Sequence, residues 1–151
     1  MKRPFPTQCS LDLEVYATRD AMGKAAARDA AAAIKETINK KGKAVVVFAA
    51  APSQNEFLAH LAKERGIDWA KVICFHLDEY IDLPRNHPNT FEMYLREHIF
   101  DLGKPEILYF LKGIKGSAKE VSRRYAALIK KHGGVEHCLH RDRRKRPHCL
   151  Q

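Results

Sequence analysis

From Leu11 to Tyr16 apolar and polar side chains alternate, a period of two that predicts a strand. An Ala-rich stretch follows, and its spacing predicts a long helix over Thr18–Lys41. Thr18 or Asp20 can cap its start, and Lys40-Lys41-Gly42 supplies the basic last turn and the glycine stop. Lys43–Ala49 (KAVVVFA) and Lys71–Leu77 (KVICFHL) are continuous apolar runs, as expected of strands covered on both faces. Between them, Ser53–Arg65 reads as a helix stopped by Gly66. Beyond them come a polar, proline-bearing loop (Asp78–Asn89) and a helix over Thr90–Phe100 that Thr90 can cap. A short strand at Glu106–Phe110 and a helix over Ser117–His132, closed by Gly133-Gly134, complete the pattern.

Strand and helix therefore alternate, which predicts an α/β fold: a parallel sheet of four or five strands with helices on both faces. Ligands of such sheets bind at the loops that leave the carboxyl ends of the strands. That rule singles out two segments, Ala49–Ser53 and Asp78–Asn89.

In the first, Ala49-Ala50-Ala51 lets a ligand approach the backbone. The helix expected from Ser53 would aim free N–H groups and its dipole at the same place, with the Ser53 hydroxyl as a further donor. A capped strand-to-helix turn would use the same residues for no ligand at all. In the second, Asp78 and Glu79 are adjacent carboxylates at the end of a buried run, a costly place for charge. One of them at a cleft edge could move a proton on a carbon next to a carbonyl or imine; the bland alternative is a solvated acidic turn. His87 follows as a lone loop histidine, more often a turn residue than a catalyst.

Composition narrows the class only a little. The chain has 151 residues, 45% hydrophobic and 30% charged, as in ordinary globular proteins. No apolar run approaches the ~18 residues of a membrane span. Met1–Pro6 lacks the apolar core of a secretory signal, so cytoplasm is the expected location. Cys9, Cys74, Cys138 and Cys149 form no C-x-x-C pair; Cys74 reads as a buried small hydrophobe, and a disulfide framework is not expected. The net charge of +9 suits an anionic substrate without identifying one.

The run Phe75-His76-Leu77-Asp78-Glu79-Tyr80, followed by Leu83-Pro84-x-x-His87-Pro88-x-Thr90-Phe91, carries more information. It resembles the signature of glucosamine-6-phosphate deaminases and related isomerases, and the resemblance extends over about residues 10–135. It implies a Rossmann-like fold and an aldose–ketose isomerisation of an amino-sugar phosphate with release of ammonia. It also implies that Asp78 is the proton-shuttling base and that the loop Ala50–Gln54 contacts the sugar phosphate. The substrate-side residues expected on this basis are Ala50, Ala51, Ser53, Gln54 and Glu79, with Glu79 and Tyr80 shaping the site. No cofactor and no metal are expected; the partner is a small sugar phosphate, and oligomerisation is left open. A lactonase acting on a phosphorylated sugar shares the fold and is the alternative enzyme, and a non-catalytic binding module is the alternative outside enzymes. The chain departs from the family at Ala50-Ala51-Pro52, where the family loop has the form A-T-G-x-[ST]. Glycine and hydroxyl contacts are missing there.

The resemblance stops near Val135. The family continues with a buried strand and a loop of the form G-x-G-E-N-G-H-I-A-F, whose histidine assists ring opening. Here residues 136–151 run EHCLHRDRRKRPHCLQ, with five basic residues among Arg141–Arg146. His137, Cys138, His140, His148 and Cys149 are metal-ligand types in no standard zinc spacing. The basic run could bind phosphates of a nucleic acid, but nothing supplies base readout, so that partner is not expected. A third reading is a shifted reading frame. Codons that encode Arg141–Gln151 can be chosen so that, one base later, they read G-I-G-E-N-G-H-I-A-F. All ten shifted codons are compatible, an agreement expected by chance roughly once in a million. Likewise His137–His140 permits I-V-C-I. On this reading, residues 1–135 are the N-terminal part of the family domain, cut off before its site is complete. Residues 136–151 are then a basic, non-native tail. Such a tail cannot replace a buried strand, so the sheet is expected to end early and the tail to be loosely packed.

Overall fold

The computed structural model describes residues 14–139. The first helix, α1, spans Arg19–Lys41; the Thr18 hydroxyl accepts from Ala21 N–H, and Gly42 closes the helix in the left-handed conformation at φ 78°. Gly42 suits this position because it has no Cβ to clash at positive φ. Strand β1 (Ala44–Phe48) follows, then a tight 3-10 turn (Pro52–Gln54), helix α2 (Asn55–Leu61) and strand β2 (Val72–His76). After the long loop, α3 (Phe91–Leu95) runs into a π turn (Arg96–Phe100) and a last short turn, α4 (Asp101–Gly103). The chain closes with β3 (Ile107–Tyr109), α5 (Ala118–Lys131) and β4 (His137–Leu139).

All three pairings are parallel, and the strand order is β3-β2-β1-β4. The residues of β1 and β2 are buried throughout and divide by parity between two cores. Val46, Phe48 and Cys74 face α1, α2 and the 91–100 helix, together with Leu58, Leu61, Leu95 and Ile99. Val45, Val47, Ile73 and Phe75 face α5 through Tyr125, Leu128 and Ile129. A sheet buried on both faces explains why these two strands read as unbroken apolar runs. The α1–α2 contact is close because it is made over glycine: a Cβ on Gly23 would lie 2.8 Å from the Glu56 Cβ and 2.9 Å from backbone atoms of Glu56 and Phe57.

The α/β class and the parallel sheet agree with the sequence pattern; α2 is shorter than the expected Ser53–Arg65 helix, and two strands differ. Glu14, Val15 and Tyr16 form no strand, and residues 11–13 lie outside the described residues. The expectation that the sheet ends before Glu136 is corrected: His137–Leu139 pairs with Val46–Phe48 as an edge strand. An edge strand is only half covered, so its polar side chains can be satisfied locally. The Glu136 carboxylate accepts from Val45 N–H at 2.6 Å, Glu136 N–H donates to the Val45 carbonyl at 3.1 Å, and His137 Nε2 lies 2.8 Å from the Thr37 hydroxyl. Residues 140–151, with the arginine run, His140, His148 and Cys149, lie outside the described residues, as does Cys9.

Candidate functional site

Strand order sets the place of the site. The chain moves from β1 outward to β2 and β3, then returns across the sheet to β4 on the other side of β1. The carboxyl ends of β1 and β4 therefore flank a topological switch point, the crevice where open parallel sheets bind ligands. The loop Ala49–Ser53 leaves β1 at this point, and the Asp78 loop leaves the neighbouring β2. Leu77 N–H donates to the Phe48 carbonyl at 2.9 Å, and Ala49 N–H donates to the Leu139 carbonyl at 3.1 Å, so the three strand ends are joined by backbone.

The first loop is held from two sides. The Tyr94 hydroxyl, from α3, donates to the Ala51 carbonyl at 2.8 Å and also meets the Asn55 side chain. Arg19, from α1, reaches the Pro52 carbonyl at 3.3 Å while gripping both oxygens of Glu56. Ala50 packs partly buried against the α1 core. Gln54 is 7% exposed; its Nε2 donates to the Leu139 carbonyl at 3.3 Å. The Ser53 hydroxyl and the Gln54 Oε1 are buried with no hydrogen-bond partner among the described residues. The helix expected from Ser53 begins instead as the Pro52–Gln54 turn, and α2 proper starts at Asn55.

The two adjacent carboxylates of the second loop have different surroundings. Asp78 is exposed at the end of β2. Glu79 turns inward, with a side chain 3% exposed, and accepts from Phe91 N–H and Glu92 N–H at 3.0 Å each and from Tyr80 N–H at 2.9 Å. It thus meets the orphan donors at the start of α3. Beneath it lies His76, 1% exposed, with Nε2 3.7 Å from the Glu79 carboxylate. Burial lowers the His76 pKa and outweighs the nearby carboxylates, so its imidazole is held neutral. The Tyr125 hydroxyl accepts from His76 N–H at 2.8 Å and lies 2.8 and 3.0 Å from the His76 and Tyr109 carbonyls.

Further along the loop, Arg85 grips both oxygens of buried Glu92 at 3.0 Å, and Arg96 binds the same carboxylate from below. Burial alone would raise the Glu92 pKa; the two guanidiniums outweigh it and hold the carboxyl below its usual range. Lys112 donates to the Leu83 carbonyl. His87 is a turn residue here: its Nδ1 accepts from Asn89 N–H at 3.1 Å, and its carbonyl accepts from the Thr90 hydroxyl at 2.9 Å. Among the described residues no group of His, Cys, Asp or Glu side chains has a metal-binding arrangement.

Residues 17–146 match the family model described as glucosamine-6-phosphate isomerases/6-phosphogluconolactonase. The chain belongs to this family. Glucosamine-6-phosphate deaminase 1 of Giardia intestinalis is 34% identical over 111 residues, covering 62% of this chain and 42% of that protein. The deaminase of Thermoanaerobacter sp. (strain X514) is 32% identical over 114 residues, covering 72% and 45%. Two solved structures share the fold. A monomeric glucosamine-6-phosphate deaminase superposes with TM-score 0.67 at 22% identity, covering 79% of this chain and 50% of that one. A 6-phosphogluconolactonase from Shewanella baltica does so with TM-score 0.67 at 21% identity, covering 76% and 48%. The chain thus spans about half the length, or less, of the relatives it matches.

The fold brings the residues expected from the sequence to contact a ligand to one end of the sheet. Ala50, Ala51, Ser53 and Gln54 lie at the β1 exit, and Asp78 lies at the β2 exit. Sequence reasoning missed Tyr94, Arg19 and Tyr125, which hold these loops from distant elements. No local signal marks them, because each acts on segments at least 16 residues away.

Proposed function

We propose that this chain carries the base and the sugar-phosphate loop of a glucosamine-6-phosphate deaminase-like enzyme. The reaction class is aldose–ketose isomerisation of an amino-sugar phosphate with loss of ammonia. Asp78 is the carboxylate that moves the proton between adjacent carbons, and the Ala50–Gln54 loop is the phosphate-side wall, with Glu79 shaping the site from below. The observation that carries this reading is the division of labour between the paired carboxylates. Glu79 is occupied by α3 while Asp78 is left exposed at a strand end next to the β1 loop. A proton-transfer group must be able to reach its substrate. Deaminases among its sequence relatives, at 34% and 32% identity, support the isomerase over the hydrolase.

The histidine loop that the resemblance places after the fourth strand has no counterpart in the written sequence. We therefore expect little or no turnover from this chain alone, and read residues 136–151 as the product of a shifted frame. The test is ammonia release from glucosamine-6-phosphate. Robust release that disappears in Asp78→Asn would show that the chain is catalytically sufficient and overturn the expected inactivity. Lactone hydrolysis without isomerisation would replace the deaminase reading with the hydrolase. Salt-sensitive binding to mixed-sequence DNA would favour a binding module instead.

A further inference from the structure

Asp78 is exposed, so its direction is set by what holds the residues beside it. Leu77 N–H donates to the Phe48 carbonyl of β1 at 2.9 Å, and Glu79 is held by the first amides of α3. The hold on His76 comes from α5. Successive residues of a strand turn their N–H groups to opposite neighbours, so with Leu77 N–H on β1, His76 N–H faces β3. Register pairs Phe75 with Tyr109, which makes the Tyr109 carbonyl the ladder acceptor at that rung. The Tyr125 hydroxyl is lodged there. It accepts from His76 N–H at 2.8 Å and lies 3.0 Å from the Tyr109 carbonyl and 2.8 Å from the His76 carbonyl. A phenol donates one proton and also accepts, so a single hydroxyl serves both strands at the end of their pairing. Burial pushes the Tyr125 phenol pKa up, which keeps that proton in place. The ring is fixed as well: it is buried and stands edge-on to Phe75 at 5.2 Å.

We propose that Tyr125 is a positioning residue for Asp78. Its hydroxyl fixes the direction in which β2 leaves the sheet, two residues before the carboxylate, and α5 thereby joins β1 and α3 in aiming that group. The role rests on the reading of Asp78 as the base, whose placement matters because a misplacement of about 1 Å can cost about a hundredfold in rate. A tyrosine that served stability alone would leave the orientation of the 77–79 backbone unchanged when its hydroxyl was removed.

The test uses the full 151-residue chain, isotope-labelled for NMR. Tyr125→Phe keeps the ring and removes the hydroxyl. It should shift the residual dipolar couplings of the Leu77, Asp78 and Glu79 amides, which report N–H directions, while those of α1 and β1 keep their wild-type values. Leu128→Ala trims a side chain of the same helix that packs on the same core. It should lower the urea midpoint and leave the couplings at 77–79 in place. Unchanged couplings there in Tyr125→Phe overturn the proposal. So does an equal shift in Leu128→Ala, which would make Tyr125 a stabilising residue only. Should Tyr125→Phe not fold, the wild-type chain decides. Its Tyr125 hydroxyl proton should give a resolved, slowly exchanging signal close to the His76 amide, and a phenol in free exchange with water overturns the proposal. None of these readouts involves turnover. Ammonia release that survives in Asp78→Asn would remove the reading of Asp78 as the base and leave the orientation result standing.

Discussion

Asp78 and Glu79 show how little residue type says about role until the surroundings are known. One carboxylate is exposed; its neighbour is buried and committed to backbone donors. The same holds for Tyr125, the buried residue of amphipathic helix α5, whose hydroxyl is shared by β2 and β3 backbone. Tyr125→Phe leaves the His76 N–H without its partner in the core and should cost about 1–3 kcal/mol, read as a lower urea midpoint with an unchanged slope. His76 itself gives a pH dependence. Glu79, Glu92 and Asp78 all favour its charged form, yet burial wins and its folded pKa lies below the unfolded value of about 6.5. The unfolded chain therefore binds a proton that the folded chain refuses. Stability is full above about pH 6.5 and falls as the pH drops from there towards the folded pKa. His132, held low by burial and by Lys43 and Lys131, adds in the same direction. Unfolding free energies between about pH 7.5 and 5.5 should show this slope, and His76→Asn should flatten most of it.

At the scale of elements, α3 is the part that makes one site of two loops. Its first amides are held by Glu79, its Tyr94 holds Ala51, and its Glu92 holds Arg85. Thr90 caps it, as the sequence leads one to expect, but the carboxylate cap comes from twelve residues upstream of Phe91, outside any local capping pattern. Helix α5 is the contrary case: Ser117 and Glu120 form a complete capping box within four residues of chain. The α1–α2 pair depends on contact rather than on caps. Gly23→Ala gains about 1 kcal/mol in helix propensity. It also drives a Cβ to 2.9 Å from α2 backbone that cannot turn aside, at a typical overpacking cost of about 1–3 kcal/mol. A net drop in melting temperature is expected, and a rise would show that the two helices separate easily.

At the scale of the molecule, the return of the chain to β4 creates the switch point, and it does so with His137, Cys138 and Leu139. An apolar I-V-C strand in the shifted frame would sit in the same register with less polar surface at the edge. The reading-frame proposal is tested by resequencing the source DNA from the codon of Gly134 to well past that of Gln151. Absence of an extra base near the codon of Glu136 would restore the family sequence beyond Val135; its presence would make residues 136–151 a genuine departure from it. A codon choice incompatible with G-I-G-E-N-G-H-I-A-F would sink the proposal.

The sequence by itself determined the α/β class, the two buried central strands, the helix cap at Thr90 and the Asp78 loop; it narrowed the first cap to Thr18 or Asp20. These rest on periodicity, on local hydrogen bonds and on a motif contained in one stretch of chain. It could not determine that His137–Leu139 would complete the sheet. Pairing there depends on an open β1 edge and on Thr37 and Val45, which meet the polar groups of a segment about a hundred residues away. Nor could it distinguish buried Glu79 from exposed Asp78, or find Tyr94, Arg19 and Tyr125. Those roles arise from approach between distant elements, which only the packing of helices onto the sheet decides.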